Sequence, residues 1–188
     1  GETILGGTFT TAAGGKGANQ AVAAAQAGGD VSLVACVGDD MFGQQALSGF
    51  ASAGVNTSRC VVDNDEPSGV AQIFVAADGE NSIGVASGAN ACLLPGHIDA
   101  AADLVSSAAV MVLQLETPVA TVIAAAAAGQ AAGSAVILNP APAQTLPDEL
   151  YSLLSLITPN ESEAELLTGI VVDDASSAAE AASHLHDR

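Results

Sequence analysis

Positive charge is scarce in this sequence: Lys16, Arg59 and Arg188 are its only strong cations, against 21 acidic residues, for a formal charge of -18. Affinity for a nucleic-acid backbone comes from clustered Lys and Arg, so that function class is excluded. The same poverty excludes docking on an anionic membrane surface. Cysteine is scarce too: Cys36, Cys60 and Cys92 are widely spaced, odd in number and form no C-x-x-C, which argues against a disulfide framework or a zinc site. They read as small buried hydrophobes in a reducing, cytoplasmic compartment. No long apolar run is present. The longest candidate, Val119 to Ala132, contains Thr121, Gly129 and Gln130 and is too short to span a bilayer. No basic, apolar leader is visible at the start, and a first residue that is Gly and not Met leads us to expect sequence before it. With 13% charged and 49% hydrophobic residues, a highly charged disordered chain is excluded, and 188 residues suffice for one domain with its own core.

What is present is an alternation of β-branched runs with Ala-rich helical runs. Val31 to Val37, Val110 to Leu115, Ala135 to Leu138 and Leu153 to Ile157 read as strands. Helices are expected after Lys16, over Met41 to Ala53, from Val119 to near Gly133, over Glu161 to Leu167, and over Ala175 to Leu185. Thr117-Pro118 supplies an N-cap and a first-turn proline. This rhythm predicts an α/β fold with a mainly parallel sheet and helices on both faces. One stretch breaks it: Cys60 to Val62, Val70 to Val75 and Ser82 to Val85 are strand-like with no helix between them, and Asp78-Gly79 is a hairpin signal. Together with the β-like Gly6 to Thr11, they predict a small antiparallel sheet built from about residues 4–13 and 60–88.

The most informative block is Gly14-Gly15-Lys16-Gly17-Ala18-Asn19-Gln20, which opens a helix. Its glycines let the backbone approach a ligand closely, and the first N–H groups of the helix are unpaired and can meet ligand oxygens. Lys16 is the only lysine in the chain. The plainer reading is a glycine-rich turn with a solvated lysine. Two phosphate motifs fail here: a P-loop needs Ser or Thr at Gly17 and Gly at Thr10, and a dinucleotide fingerprint needs Gly at Gln20.

Gln114-Leu115-Glu116 ends a strand, where α/β sheets bind ligands. Glu116 can accept from hydroxyls there, or can serve a helix start through the dipole. Asn139-Pro140-Ala141-Pro142 follows the next strand and reads as a rigid structural loop. After the strand ending at Ile157, Asn160 and Glu163 share one face of a first helical turn. They can hold magnesium through its waters, or form a capping box. His184, His186 and Asp187 lie at the tail of the last helix with spacing that points the rings apart, so they read as surface residues. His97 reads as part of a helix start, and Asp39-Asp40 as the cap of the helix that follows.

Taken in order, GGKGANQAVAAAQAG, VGDDMFG, GVNT, DGENSI with GAN, LQLETP, NPAP and TPNESEAELLTG resemble the ribokinase branch of the carbohydrate-kinase superfamily, which includes the PfkB-type sugar kinases and adenosine kinase. The resemblance covers nearly the whole chain and implies a ribokinase-like fold, here a single partial domain over residues 1–188. It implies that Gly15, Lys16, Gly17, Ala18 and Asn19 form a sugar-binding loop, and that Glu116 contacts the sugar. It places Asn160 at the nucleotide phosphates and Glu163 at magnesium, through water. The antiparallel strands match a β lid that covers the sugar and pairs with a second lid in a homodimer.

The implied activity is transfer of a phosphoryl group from ATP to D-ribose, giving ribose 5-phosphate, with magnesium and in the intact enzyme potassium. The family also carries a sugar-binding Asp on a strand before the glycine loop, and a Gly-Ala-Gly-Asp-type motif downstream that supplies the base and the anion hole. Neither is in these residues, so the chain is expected to be an internal portion of such an enzyme, with its base beyond Arg188 and little turnover of its own. The alternatives are a non-catalytic sugar-binding or dimerisation module, and a kinase for another sugar or a nucleoside.

Overall fold

The computed structural model describes residues 8–76 and 79–188. Helix α1 (Lys16–Gln26) leads to β1 (Cys36–Gly38), α2 (Met41–Ser52) and β2 (Val61–Asp63). A hairpin of β3 (Val70–Val75) and β4 (Asn81–Ala86) follows, then a 3-10 turn (Gly88–Cys92), α3 (Pro95–Ala100) and α4 (Ala102–Ser107). The remainder alternates: β5 (Val110–Leu113), α5 (Val119–Ala132), β6 (Ala135–Leu138), α6 (Asp148–Tyr151), β7 (Leu156–Ile157), α7 (Glu161–Thr168) and α8 (Ala175–His186).

The expected α/β architecture is present. Strands β5, β6 and β7 form one parallel sheet in that order, and β1 and β2 form a second parallel pair. The register pairs Met111 with Val136 and Leu113 with Leu138, so these four share a face. Val136 and Leu138 are fully buried there with Val122 and Ala126 of the crossover helix α5, while Met111 and Leu113 meet Ile98 of α3 and Val105 of α4. On the opposite face Val110, Val112 and Leu156 are 51, 45 and 51% exposed, so the two faces are unequally covered. Ala21 of α1 packs on Phe50 of α2 in a separate small core.

Helix ends fall where the glycines predict them: α5 and α7 stop at Gly133 (φ 83) and Gly169 (φ 77), both left-handed. At the start of α5 Pro118 takes the N-cap position, so Thr117 does not cap it. Strands are shorter than their apolar runs. Only Cys36–Gly38 forms a ladder, with Ser32 making an isolated bridge to Asn56. β5 stops at Leu113 because the Leu115 N–H turns to the Ala141 carbonyl. β7 loses Leu153 and Leu154, whose N–H groups bond Leu150 and Tyr151 in the turn after α6.

The antiparallel sheet also needs correction. The run Cys60 to Val62 identifies a strand but not its partner: β2 pairs in parallel with β1, Cys36 opposite Val61, and belongs to the body. Residues 8–13 form no strand; positions 4–7, and Asp78 of the hairpin signal, lie outside the described residues. Among the described residues the antiparallel sheet is the β3–β4 hairpin alone. Every residue of both its strands is exposed.

The cysteines are free: Cys36 is buried and the other two half-buried. Burial pushes the Cys60 thiol up to about 11. Among the described residues no helix is long and apolar enough to cross a membrane.

Candidate sugar and phosphate edge

The glycine loop meets the end of β5. Gly15 adopts φ 98, a conformation that favours glycine, and Lys16 opens α1 with no side-chain cap. The Lys16 N–H donates instead to Glu116 Oε2 at 2.6 Å, joining residues 100 apart. A carboxylate at a helix N-terminus gains from both the dipole and a charge-assisted bond. Glu116 thus serves a helix start, though that of α1 and not of α5, which follows it in sequence. Among the described residues its second oxygen accepts no hydrogen bond.

Gly17 is packed more closely than Gly15: a Cβ there would sit 2.8 Å from Gln114 Oε1, against 3.8 Å to the nearest atom at Gly15. Gln114 Nε2 in turn donates to Gln20 Oε1. The two glutamines fasten α1 to the end of β5, a role that residue type and spacing alone did not reveal. Arg59 grips Asp103 through both oxygens at 3.0 Å. Arg188 pairs with Asp148 at 2.7 Å and lies 4.6 Å over the Tyr151 ring. Among the described residues Lys16 is the one strong cation without an ion pair. Ala18 and Asn19, predicted for the same loop, line a separate shallow pocket of about 310 Å³ beside Phe50, which neither Lys16 nor Glu116 borders.

Asn160 and Glu163 are arranged differently. Asn160 Oδ1 accepts from the Glu163 N–H at 2.8 Å, and Glu163 Oε2 accepts from the Asn160 N–H at 2.9 Å. This is a complete capping box at the start of α7, with Glu163 only 6% exposed. Asn160 also borders a pocket of about 660 Å³ between β7, α7 and α8. No group of three or more His, Cys, Asp or Glu among the described residues could hold a metal ion. One oxygen of Glu163 is already bonded, and although Glu161 stands in the same first turn, these acids do not make a cage of three or more ligands. The His184–Asp187 tail likewise forms no metal cluster.

Between these sites Asn139 braces the edge. Its N–H bonds the Leu113 carbonyl at 2.9 Å and its amide reaches the Thr158 carbonyl at 3.3 Å. With Pro140 buried, the loop has the structural role read from its prolines. Glu116, Asn139 and Asn160 therefore follow β5, β6 and β7 along one carboxyl edge, the place where α/β sheets bind ligands. Asp40 caps α2 by accepting from the Gly43 N–H, and His97 Nδ1 accepts from the Leu94 N–H at the start of α3, both as expected.

Comparison with known proteins bears on the chain as a whole. The model of the pfkB family carbohydrate kinases matches residues 1–188. A ribokinase of Haemophilus influenzae is 46% identical over 188 residues, covering 100% of this chain and 61% of its own. A deoxyribokinase of Salmonella typhi is 42% identical and also covers 100% of this chain, with 62% of its own. Among solved structures, the Arabidopsis thaliana ribokinase complexed with ribose and ATP superposes with a TM-score of 0.92 at 33% identity, over 99% of this chain and 61% of its own. The chain thus spans about three fifths of the length of these relatives.

Proposed function

The chain belongs to the pfkB family of carbohydrate kinases, and from that premise we propose that the intact protein transfers the γ-phosphoryl group of ATP to the 5-hydroxyl of D-ribose. One observation carries the reading: the only lysine of the chain is held at the sheet edge by a backbone bond to Glu116 while its ammonium has no acidic partner among the described residues. In this reading Gly15, Lys16 and Gly17 meet the sugar at the Glu116 end of the loop, Ala18 and Asn19 bound it from the neighbouring pocket beside Phe50, and the second oxygen of Glu116 accepts from a sugar hydroxyl. Asn160 and Glu163 lie toward the nucleotide phosphates, touching the magnesium that accompanies ATP through its waters. A potassium ion and a cytoplasmic setting belong to the same reading.

Phosphoryl transfer depends on positioning and on electrostatic stabilisation of the transferred group. The 188 residues hold no Gly-Ala-Gly-Asp run to supply the base and the anion hole. By themselves they bind ribose weakly and turn over little. The β3–β4 hairpin acts as a lid that keeps water from ATP. Its face with Ile73, Val75, Ile83 and Val85, each 56–71% exposed, is the surface that pairing with a second lid would bury in a homodimer.

The 42% identity to a deoxyribokinase favours a second sugar, deoxyribose, as the alternative substrate. A coupled kinase assay on the intact protein with ribose, deoxyribose, fructose and adenosine separates these. Ribose with the highest kcat/KM supports the proposal; a preference for another acceptor, or no phosphorylation of any, overturns it.

A further inference from the structure

The motif Val37-Gly38-Asp39-Asp40-Met41-Phe42-Gly43 does more than cap α2. Asp40 Oδ1 accepts from the Gly43 N–H at 2.8 Å, and also from Ser68 Oγ at 2.8 Å. Its other oxygen, Oδ2, accepts from the Ser68 N–H at 2.8 Å. Ser68 Oγ in turn accepts from the Gly38 N–H at 3.0 Å, and Ser68 is 7% exposed. These N–H donors hold the Asp40 carboxyl below the usual carboxylate range, Gly43 first and Ser68 next. The two glycines of the motif are needed for this closeness: a Cβ on Gly38 would lie 2.7 Å from Glu66 O, and one on Gly43 would lie 3.0 Å from Ser68 Oγ.

Ser68 stands two residues before β3, so this node grips the leg by which the hairpin leaves the body. The returning leg is fastened to the same place, through the Ala89 N–H bonded to the Pro67 carbonyl at 2.8 Å. Since all residues of β3 and β4 are exposed, no buried strand side chain sets the direction of the hairpin. That direction must come from its root.

We infer that Asp40 is a positioning residue for the β3–β4 hairpin: by holding Ser68 it fixes where the hairpin stands over the sugar-binding edge. The link to the sugar rests on the kinase reading above, whereas the link to the hairpin rests on the hydrogen bonds alone.

The test is Asp40→Asn in the intact protein. Asn is as good an N-cap as Asp, so α2 keeps its cap, but its amide offers one acceptor oxygen in place of two. Amide hydrogen exchange over residues 68–76 and 79–88 should speed up about tenfold while α2 and β6 exchange as in the parent, a loss on the scale of one hydrogen bond. KM for ribose should rise by about the same factor with kcat changed less, and ATP hydrolysis without sugar transfer should increase. Ser68→Ala should reproduce both effects. Unchanged hairpin exchange in both variants, or faster exchange spread evenly over the protein, overturns the inference. So does faster hairpin exchange with an unaltered ribose KM, because the hairpin's stance would then not govern sugar binding. A parent that phosphorylates no sugar overturns the proposed function, while the exchange data still decide the role of Asp40.

Discussion

Asn160 and Glu163 are three residues apart and satisfy each other, whereas Lys16 and Glu116 are 100 apart and meet only because the fold brings α1 to the end of β5. Both pairs stand on the carboxyl edge of one sheet, and both place a carboxylate at a helix start. A capping box forms wherever its short motif folds as a helix, so its presence is explained without a ligand. A contact between distant residues at a loop of glycines has no such local cause, and among the described residues it leaves a cation and a carboxylate oxygen without a partner. The long-range pair is therefore the stronger mark of a binding site.

That contrast can be broken by substitutions in the intact protein. The largest effect is expected from Glu116→Ala, which removes a charge-assisted hydrogen bond and a sugar acceptor together. Ribose KM should rise about 10–100-fold, the scale of 1.5–3 kcal/mol for a bond to a charged group. Steady-state kinetics that show no change would put Glu116 outside the site. Next comes Gly17→Ala, whose Cβ would press on Gln114 Oε1. We expect roughly a tenfold rise in ribose KM, reduced when Gln114→Ala is added, as coupled neighbours behave in a double-mutant cycle. Additive effects would show that Gln114 does not position the loop.

On the other side of the comparison, Asn160→Ala should cost stability of about 1 kcal/mol, as loss of an N-cap does. Scanning calorimetry should show Tm lower by roughly 2 °C, with ribose KM unmoved; a large change in sugar affinity would erase the distinction between the two pairs. Smallest of all is Glu163→Gln, since Gln also completes a capping box. Its melting point should stay within about 1 °C, and its KM for ATP should rise only a few-fold if contact is through magnesium waters. A hundredfold loss would indicate a direct ligand.

Much of the body was readable because its signals are local. The glycines after α5 and α7, the caps Asp40 and Asn160 and the apolar run Ala135–Leu138 each describe their own few residues. What was misread depends on partners. The triplet at Val61 has strand character in either sheet, and only its pairing with Cys36 assigns it to the body. Leu153 and Leu154 look like strand residues, but the turn after α6 captures their N–H groups. In the site, residue type pointed to Lys16 and Glu116 separately; their bond across 100 positions was not legible. Gln20 with Gln114, and Asp40 with Ser68, were missed for the same reason: amides and hydroxyls have no spacing that marks a distant partner.

What matters most is whether the Lys16–Glu116 junction receives a sugar. Calorimetric titration of D-ribose into the intact protein and its Glu116→Gln variant addresses this without requiring turnover. It should show saturable binding in the parent, weakened at least about tenfold in the variant, as expected for loss of a charged acceptor. Equal affinity in the two proteins, or no ribose binding in the parent, would contradict it.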